Sequence, residues 1–422
     1  MNREREDRFA AILHKELVPA LGCTEPIALA YASAKVRQVL GCFPERMEVY
    51  CSGNIVKNVK GVTIPNSGGL IGIENAVILG AVGGNPQEEL KVLEGVRPED
   101  IERTKELAKS DFLSCKLKEG VANLYIDTFA YAGEHSAQVT IVNRHTLITR
   151  IVKDGELLLS RDPVEKKEDL DLDCMNIESI LEFAQSVDIE KVKKPLMGQI
   201  EANTAIAREG LKNPYGAQVG RTLLEAYGDD LRVRARAKAA AGADARMNGC
   251  SMPVIINSGS GNQGMTVSLP VIEFAKDWNV GEEKLLRALV ISNLVSIYQK
   301  HYIGSLSAFC GAVTAACGAG AGITYLAGGD YKAICRTIVN TVANVGGIIC
   351  DGAKSSCAAK IASAVDAAIL GYELSMKGLV FKPGEGIVCS DIEDTIRSAG
   401  YVGRVGMKTT DVEILNLMLE KH

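Results

Sequence analysis

The chain has 422 residues, with 47 Lys and Arg against 52 Asp and Glu for a formal net charge of −5, and is 47% hydrophobic and 23% charged. That length predicts two or three domains with ample cores, and the balance excludes a disordered tail, a collagen-like fibre and a basic nucleic-acid binder. Twelve cysteines are too few for a small secreted disulfide domain and fit reduced thiols or metal ligands in a cytosolic chain.

The first residues, MNREREDRFAAIL, are charged from Arg3 onward and lack an apolar signal core, so they predict an amphipathic helix over 5–17. A second helix is expected over 25–40, with Thr24 as N-cap and Cys23 just before the helix start. Residues 45–195 read as a mixed region. It has strands over 47–50 and 55–59, helices over 72–82 and 98–109, then an antiparallel run of strands over 121–129, 135–142 and 146–152. The charged stretch 166–173 reads as a surface loop or boundary. From 176 onward helix dominates. Ala-rich runs at 235–245 and 358–370 predict closely packed helices, the latter ending at Gly371. The expected fold is α+β and predominantly helical: an all-helical catalytic domain over 196–422, a smaller mixed α+β domain over 45–195, and N-terminal helices over 1–40 packing on the catalytic domain. The stretch nearest to a membrane span, 303–326, is uncharged but rich in Gly, Ser and Thr and suits a tightly packed buried segment better than a lipid-facing span. No membrane or nucleic-acid partner is expected. A homo-oligomeric state is left open.

Common cofactor motifs are missing. There is no phosphate-binding G-x-x-x-x-G-K-[ST] loop, no H-E-x-x-H zinc helix and no G-x-S-x-G elbow. The run from Asn257 to Gly264 contains G-x-G-x-x-G from Gly259, but without the alternating βαβ context of a dinucleotide site. Asn257, Ser258, Gly259, Ser260 and Asn262 before a helix over 265–274 can instead present N–H groups and hydroxyls to a small anion. Asn66, Ser67 and Gly68 form a second such loop. Two such loops can clamp a carboxylate. Histidines 14, 135, 145 and 422 read as surface or turn residues. His301, beside Lys300, is the one next to the glycine- and cysteine-rich core.

Most cysteines read as small buried hydrophobes. Cys23, Cys310, Cys317, Cys350 and Cys357 differ, lying beside small or polar residues at loops or helix starts, where backbone N–H groups stabilise thiolates. Cys310 and Cys317, like Cys350 and Cys357, are seven residues apart. With Asp351 as N-cap and all eight residues 350–357 helical, Cys350 and Cys357 would stand about 10 Å apart. They converge only if Cys350 stays on the turn outside the helix.

The segments Leu21-Gly-Cys-Thr-Glu-Pro26, Lys300-His-Tyr-Ile-Gly304, Ser307-Ala-Phe-Cys-Gly311 and Cys350-Asp-Gly-Ala-Lys-Ser-Ser-Cys357 resemble those of the L-cysteine desulfidase family. That family is itself similar to the α chain of iron–sulfur-dependent L-serine dehydratases. The resemblance implies a carbon–sulfur lyase carrying a [4Fe–4S] cluster on Cys310, Cys350 and Cys357, with one iron open. The implied reaction is α,β-elimination of L-cysteine to sulfide, pyruvate and ammonia, without pyridoxal phosphate. It further implies Cys23 as catalytic base, its thiolate favoured by the helix start, or as the thiol on the fourth iron when substrate is absent. Lys300, His301 and the two loops are expected around the substrate. Serine dehydratases of this type carry a cysteine near the C-terminus that reaches the cluster. Here none follows Cys389. The alternatives are an L-serine or L-threonine dehydratase on the same scaffold, or a non-catalytic cluster-bearing sensor.

Overall fold

The computed structural model describes residues 2–162, 172–304 and 306–419. Residues 166–171 of the charged stretch, and His422, lie outside the described residues. The fold is α+β and mainly helical, as expected.

Glycine and alanine set the helical layer. Helices α7 (Glu190–Lys212), α9 (Leu231–Met247), α10 (Gly261–Asp277), α11 (Glu282–Ile303), α12 (Gly311–Leu326), α13 (Tyr331–Val345) and α14 (Cys357–Met376) pack around one apolar core. α12, GAVTAACGAGAGITYL, is buried almost throughout, as expected for a helix that is apolar and small on every side. Gly210 lets α7 cross α9 backbone to backbone, because a Cβ there would collide with the Ala241 carbonyl. Gly371, expected to end a helix, lies inside α14. A Cβ there would fall 2.8 Å from Thr341 Oγ1, so it is a packing glycine and not a cap. Asp351 is likewise no N-cap. α14 begins at Cys357, and Asp351 instead pairs with Lys354 and Lys360.

The second layer is a six-stranded sheet in the order β3 (Leu113–Leu117), β2 (Arg46–Cys51), β4 (Tyr125–Ala132), β5 (His135–Val142), β6 (Ile148–Lys153), β7 (Glu156–Ser160). Only β2 and β3 run parallel. Helix α2 (Thr24–Leu40) covers this sheet together with α4 (Ile73–Gly83). The N-terminal helix α1 (Arg3–Glu16) instead buries Phe9, Ile12 and Leu13 against the helical core. Residues 55–59, expected as a strand, are the helix α3 (Gly53–Val59). β2 is already flanked by β3 and β4, so the β-rich residues that follow it have no free place beside β2, and strand propensity yields to that context. A two-stranded ribbon, β1 (Pro19–Leu21) with β8 (Pro253–Ile255), joins the start of α2 to the helical layer. β8 is a strand in a region read as helical. Among the described residues no helix is long and apolar enough to cross a membrane.

One buried carboxylate should be visible in solution. Asp244 on α9 is fully buried. Its Oδ2 accepts the Gly220 N–H at 3.0 Å, at the start of α8 (Val219–Tyr227), while Oδ1 has no partner. Burial outweighs those backbone hydrogen bonds and raises the carboxyl to about 6. A carboxyl that holds its proton more tightly when folded stabilises the fold at low pH and loses that contribution as pH rises through the folded value. Asp244→Asn does not titrate. The stability of the variant relative to the wild type should therefore rise by about 1–3 kcal/mol between pH 4 and pH 7. Thermal unfolding of both at the two pH values checks this, and parallel pH profiles would refute it.

Candidate active site

Three thiols from separate elements meet at one cavity of about 700 Å³. Cys310 is the N-cap of α12, Cys357 is the first residue of α14, and Cys350 lies on the connection between α13 and α14. A short antiparallel bridge pairs Phe309 with Ile349. There the Cys310 N–H donates to the Ile348 carbonyl at 3.0 Å and the Cys350 N–H to the Ala308 carbonyl at 2.6 Å. This bridge brings Cys310 and Cys350 into mutual hydrogen bonding. Cys350 stays outside the helix and Cys357 inside it, the geometry that convergence requires. Cys317 lies seven residues into the same helix, wholly buried and away from the cavity, its thiol pushed up to about 12 by burial.

The charges around the trio are unequal. The hydrogen bond from Cys310 lowers the Cys350 thiol to about 6 against the effect of burial, helped by the ammonium groups of Lys57 and Lys300. Cys310, as the donor to Cys350 and a buried group, is pushed up. Cys357 is raised by burial, and its Sγ lies 3.6 Å from the Gly352 carbonyl. Among the described residues no three His, Cys, Asp or Glu side chains gather closely enough to hold a single metal ion. Thiols spread around one cavity fit a multi-iron cluster better, because each thiolate takes a different iron. The backbone N–H groups at two helix starts and the two lysines would offset its negative charge.

Cys23 faces the same cavity as the N-cap of α2, packed with Val62 and Met247 against Ala353 and Cys357. The expectation that the helix start favours its thiolate is corrected here. Burial, and next the charge of Glu25, raise this thiol well above its ordinary value. Its S–H donates to Glu25 Oε2 at 3.0 Å. Glu25 is buried too, which by itself would raise its carboxyl. The nearby imidazole of His145 and the Cys23 thiol more than reverse that and hold it at about 2. His145 Nε2 stands 3.9 Å from Glu25 Oε1, and Asn58 Nδ2 donates to the same oxygen at 3.2 Å. The proton of the pair therefore sits on sulfur and the charge on the carboxylate.

Lys300, in the last turn of α11, and His301 both line the cavity. Lys300 is buried, and its ammonium value is lowered by that burial. His301 is exposed, edge-on to Tyr302. Ser258, Gly259, Ser260 and Asn262 also line it. Asn257 does not, because its side chain is spent in the core on Asn293 Oδ1 at 2.9 Å and on the Ser296 hydroxyl at 3.0 Å. The loop of Asn66, Ser67 and Gly68 is not part of the cavity either. The Ser67 hydroxyl donates to the Ile64 carbonyl at 2.6 Å and closes its own turn, while Asn66 Nδ2 donates to the Leu93 carbonyl at 3.0 Å and ties that turn to a neighbouring segment. The clamp of two loops is replaced by one loop and buried charges.

Those charges, Glu25, Lys57 and Arg246, and the half-buried His145 beside them, are the residues sequence reading passes over. Lys57 on α3 is almost wholly buried, donates to the Cys350 carbonyl at 3.3 Å, and pairs with Asp411 on the C-terminal helix α16 (Lys408–Met418). A charged residue inside a short apolar or Ala-rich run is the one signal that marks Lys57 and Arg246. His145, read as a turn residue, had none. Cys42, read as an ordinary packed cysteine, is exposed.

Comparison with known proteins matches residues 87–416 to the family described as serine dehydratase alpha chain, a span that includes Cys310, Cys350 and Cys357. A UPF0597 protein of Lachnoclostridium phytofermentans is 56% identical over 410 residues, covering 97% of this chain and 98% of its own. One of Desulfitobacterium hafniense is 49% identical over 427 residues, covering 100% and 99%. One of Aeromonas hydrophila is 39% identical over 423 residues, covering 98% and 96%.

Proposed function

Since the chain belongs to the serine dehydratase alpha chain family, we propose that it is a lyase that releases sulfide from L-cysteine, with a [4Fe–4S] cluster held by Cys310, Cys350 and Cys357. The observation that carries this reading is the meeting of those three thiols, from three separate elements, at a cavity that also holds Cys23 and Lys300. Bound there, the cluster would supply a Lewis-acidic iron, which would favour a sulfur leaving group over a neutral hydroxyl.

The chain's own residues handle the rest. Cys23, as thiolate, takes the Cα proton of L-cysteine. The electron pair of that C–H bond forms the Cα–Cβ double bond, and the Cβ–S pair leaves with sulfide. The product, 2-aminoacrylate, gains a proton at Cβ and loses one from nitrogen to become the imine, which water hydrolyses to pyruvate and ammonia. Glu25 holds Cys23 in place through their hydrogen bond, and His145 and Asn58 hold Glu25. Lys300, buried beside Cys350, counters the negative charge gathered by thiolates and substrate.

The family description itself favours a second reading, dehydration of L-serine on the same residues. Anaerobically reconstituted protein should release sulfide and pyruvate in equal amounts from L-cysteine. Pyruvate from L-serine without sulfide from L-cysteine would select the dehydratase, and neither product from either amino acid would sink both readings.

A further inference from the structure

A buried cation without a counter-ion lines this cavity. Arg246 closes the C-terminal turn of α9 and is 2% exposed. Its guanidinium has five N–H donors. Among the described residues it donates to one side chain, through Nη1 to Asn262 Oδ1 at 3.1 Å, and its Nε is buried with no acceptor at all. No carboxylate of the described residues pairs with it. A buried guanidinium left this way costs free energy unless an anion completes it.

The open side of the guanidinium is the cavity, whose wall Arg246 shares with Ser258, Gly259, Ser260 and Asn262. On its other side Gly261, the first residue of α10, packs closely, since a Cβ there would overlap Arg246 Nε. The turn before it, with Ser258 at φ 50° and Gly259 at φ 76°, opens the N-terminal end of a 17-residue helix onto the cavity. The Thr24 hydroxyl donates to the Gly259 carbonyl at 3.1 Å and so ties this turn to the Cys23–Glu25 pair. The positive end of α10 and the Arg246 fork therefore face the same space. A planar carboxylate is the anion that such a fork takes through two parallel hydrogen bonds.

We infer that Arg246, with the N-terminus of α10, holds the α-carboxylate of the amino-acid substrate. This rests on the reading above only in that an α-amino acid enters the cavity; it requires neither sulfur in the substrate nor elimination. Holding the carboxylate at Arg246 also fixes where Cα lies relative to Cys23.

The test is calorimetric titration of the anaerobically reconstituted full-length protein with L-alanine, which has no leaving group, and with L-alaninamide, which has no carboxylate. Arg246→Met should weaken L-alanine binding roughly 10- to 100-fold while leaving L-alaninamide binding unchanged. Arg246→Lys should recover part of the loss. Gly261→Ala keeps the arginine but crowds it, and should also weaken L-alanine selectively, which keeps the inference testable if Arg246→Met does not fold. It is overturned if wild-type protein fails to bind L-alanine. It is equally overturned if the folded variants bind L-alanine as the wild type does, or if they lose both ligands alike. A selective loss of L-alanine in a protein that releases no sulfide from L-cysteine would leave Arg246 in this role and end the desulfidase reading.

Discussion

Cys350→Ser, reconstituted anaerobically with iron and sulfide, is expected to lose most of its iron and the visible absorption of the cluster. Its sulfide release from L-cysteine should fall to background. Ligand thiols must lose their protons to bind metal, and Cys350 is the one of the three already poised to do so, at about 6. Serine preserves the shape but offers an alcohol that stays protonated. Cys310→Ser and Cys357→Ser should lose iron as well. Removing Cys310 has a second effect, since it takes away the hydrogen bond that contributes most to holding Cys350 low. Cys317→Ala is the internal comparison. It stands seven residues after Cys310, the same spacing that separates Cys350 from Cys357, but it is wholly buried in α12 and off the cavity. Its loss should cost about 1–2 kcal/mol of stability through lost packing and leave the iron count intact. A Cys350→Ser protein that keeps a full complement of iron would remove the cluster assignment, whatever its activity.

That contrast shows what sequence could and could not resolve. The two C-x6-C spacings are identical, so nothing local separates Cys310 from Cys317. What separates them is the bridge between Phe309 and Ile349, a pairing of segments 40 residues apart. Helices α2 and α10 were legible near their starting turns, because caps and glycine loops are local signals, although the N-cap of α2 is Cys23 and not the expected Thr24, whose hydroxyl donates to the Gly259 carbonyl instead. Residues 55–59 were not, because the sheet had no free place beside β2. The two loops read as a carboxylate clamp share composition yet differ in fate. Ser67 spends its hydroxyl on its own turn, whereas the turn at Ser258 is tied to the start of α2 and opens on the cavity. Glu25 stood within a recognised segment and still went unread as a partner of Cys23. Its effect depends on burial and on His145, which arrives from the sheet layer 120 residues later. Position before a helix start lowers a thiol only when water or a positive partner supports the charge. At Cys23 burial and a carboxylate oppose it.

That opposition makes the base testable by pH. Cys23→Ala should lower turnover by about 10²- to 10⁴-fold, the range seen when a general base is removed. Cys23→Ser should be no better, since its hydroxyl is far less acidic than a thiol. Glu25→Gln is the informative change. Burial and then the Glu25 charge push the Cys23 thiol up, so in the wild type kcat/KM should climb with pH as the thiol ionises. Glutamine keeps an oxygen acceptor for the S–H and removes the negative charge. The thiol should then ionise more readily, and the acidic limb of the kcat/KM profile should move to lower pH, while burial still holds it above the value of an exposed thiol. Turnover at high pH should fall only modestly, because a less basic thiolate pulls less strongly on the Cα proton. Two other outcomes point elsewhere. A large loss in Glu25→Gln at every pH would make the carboxylate the final proton acceptor and Cys23 its relay. A limb that does not move would mean that Cys23 does not set the profile, and the base would have to be sought among the other groups on the cavity wall, with Lys300 the first to replace.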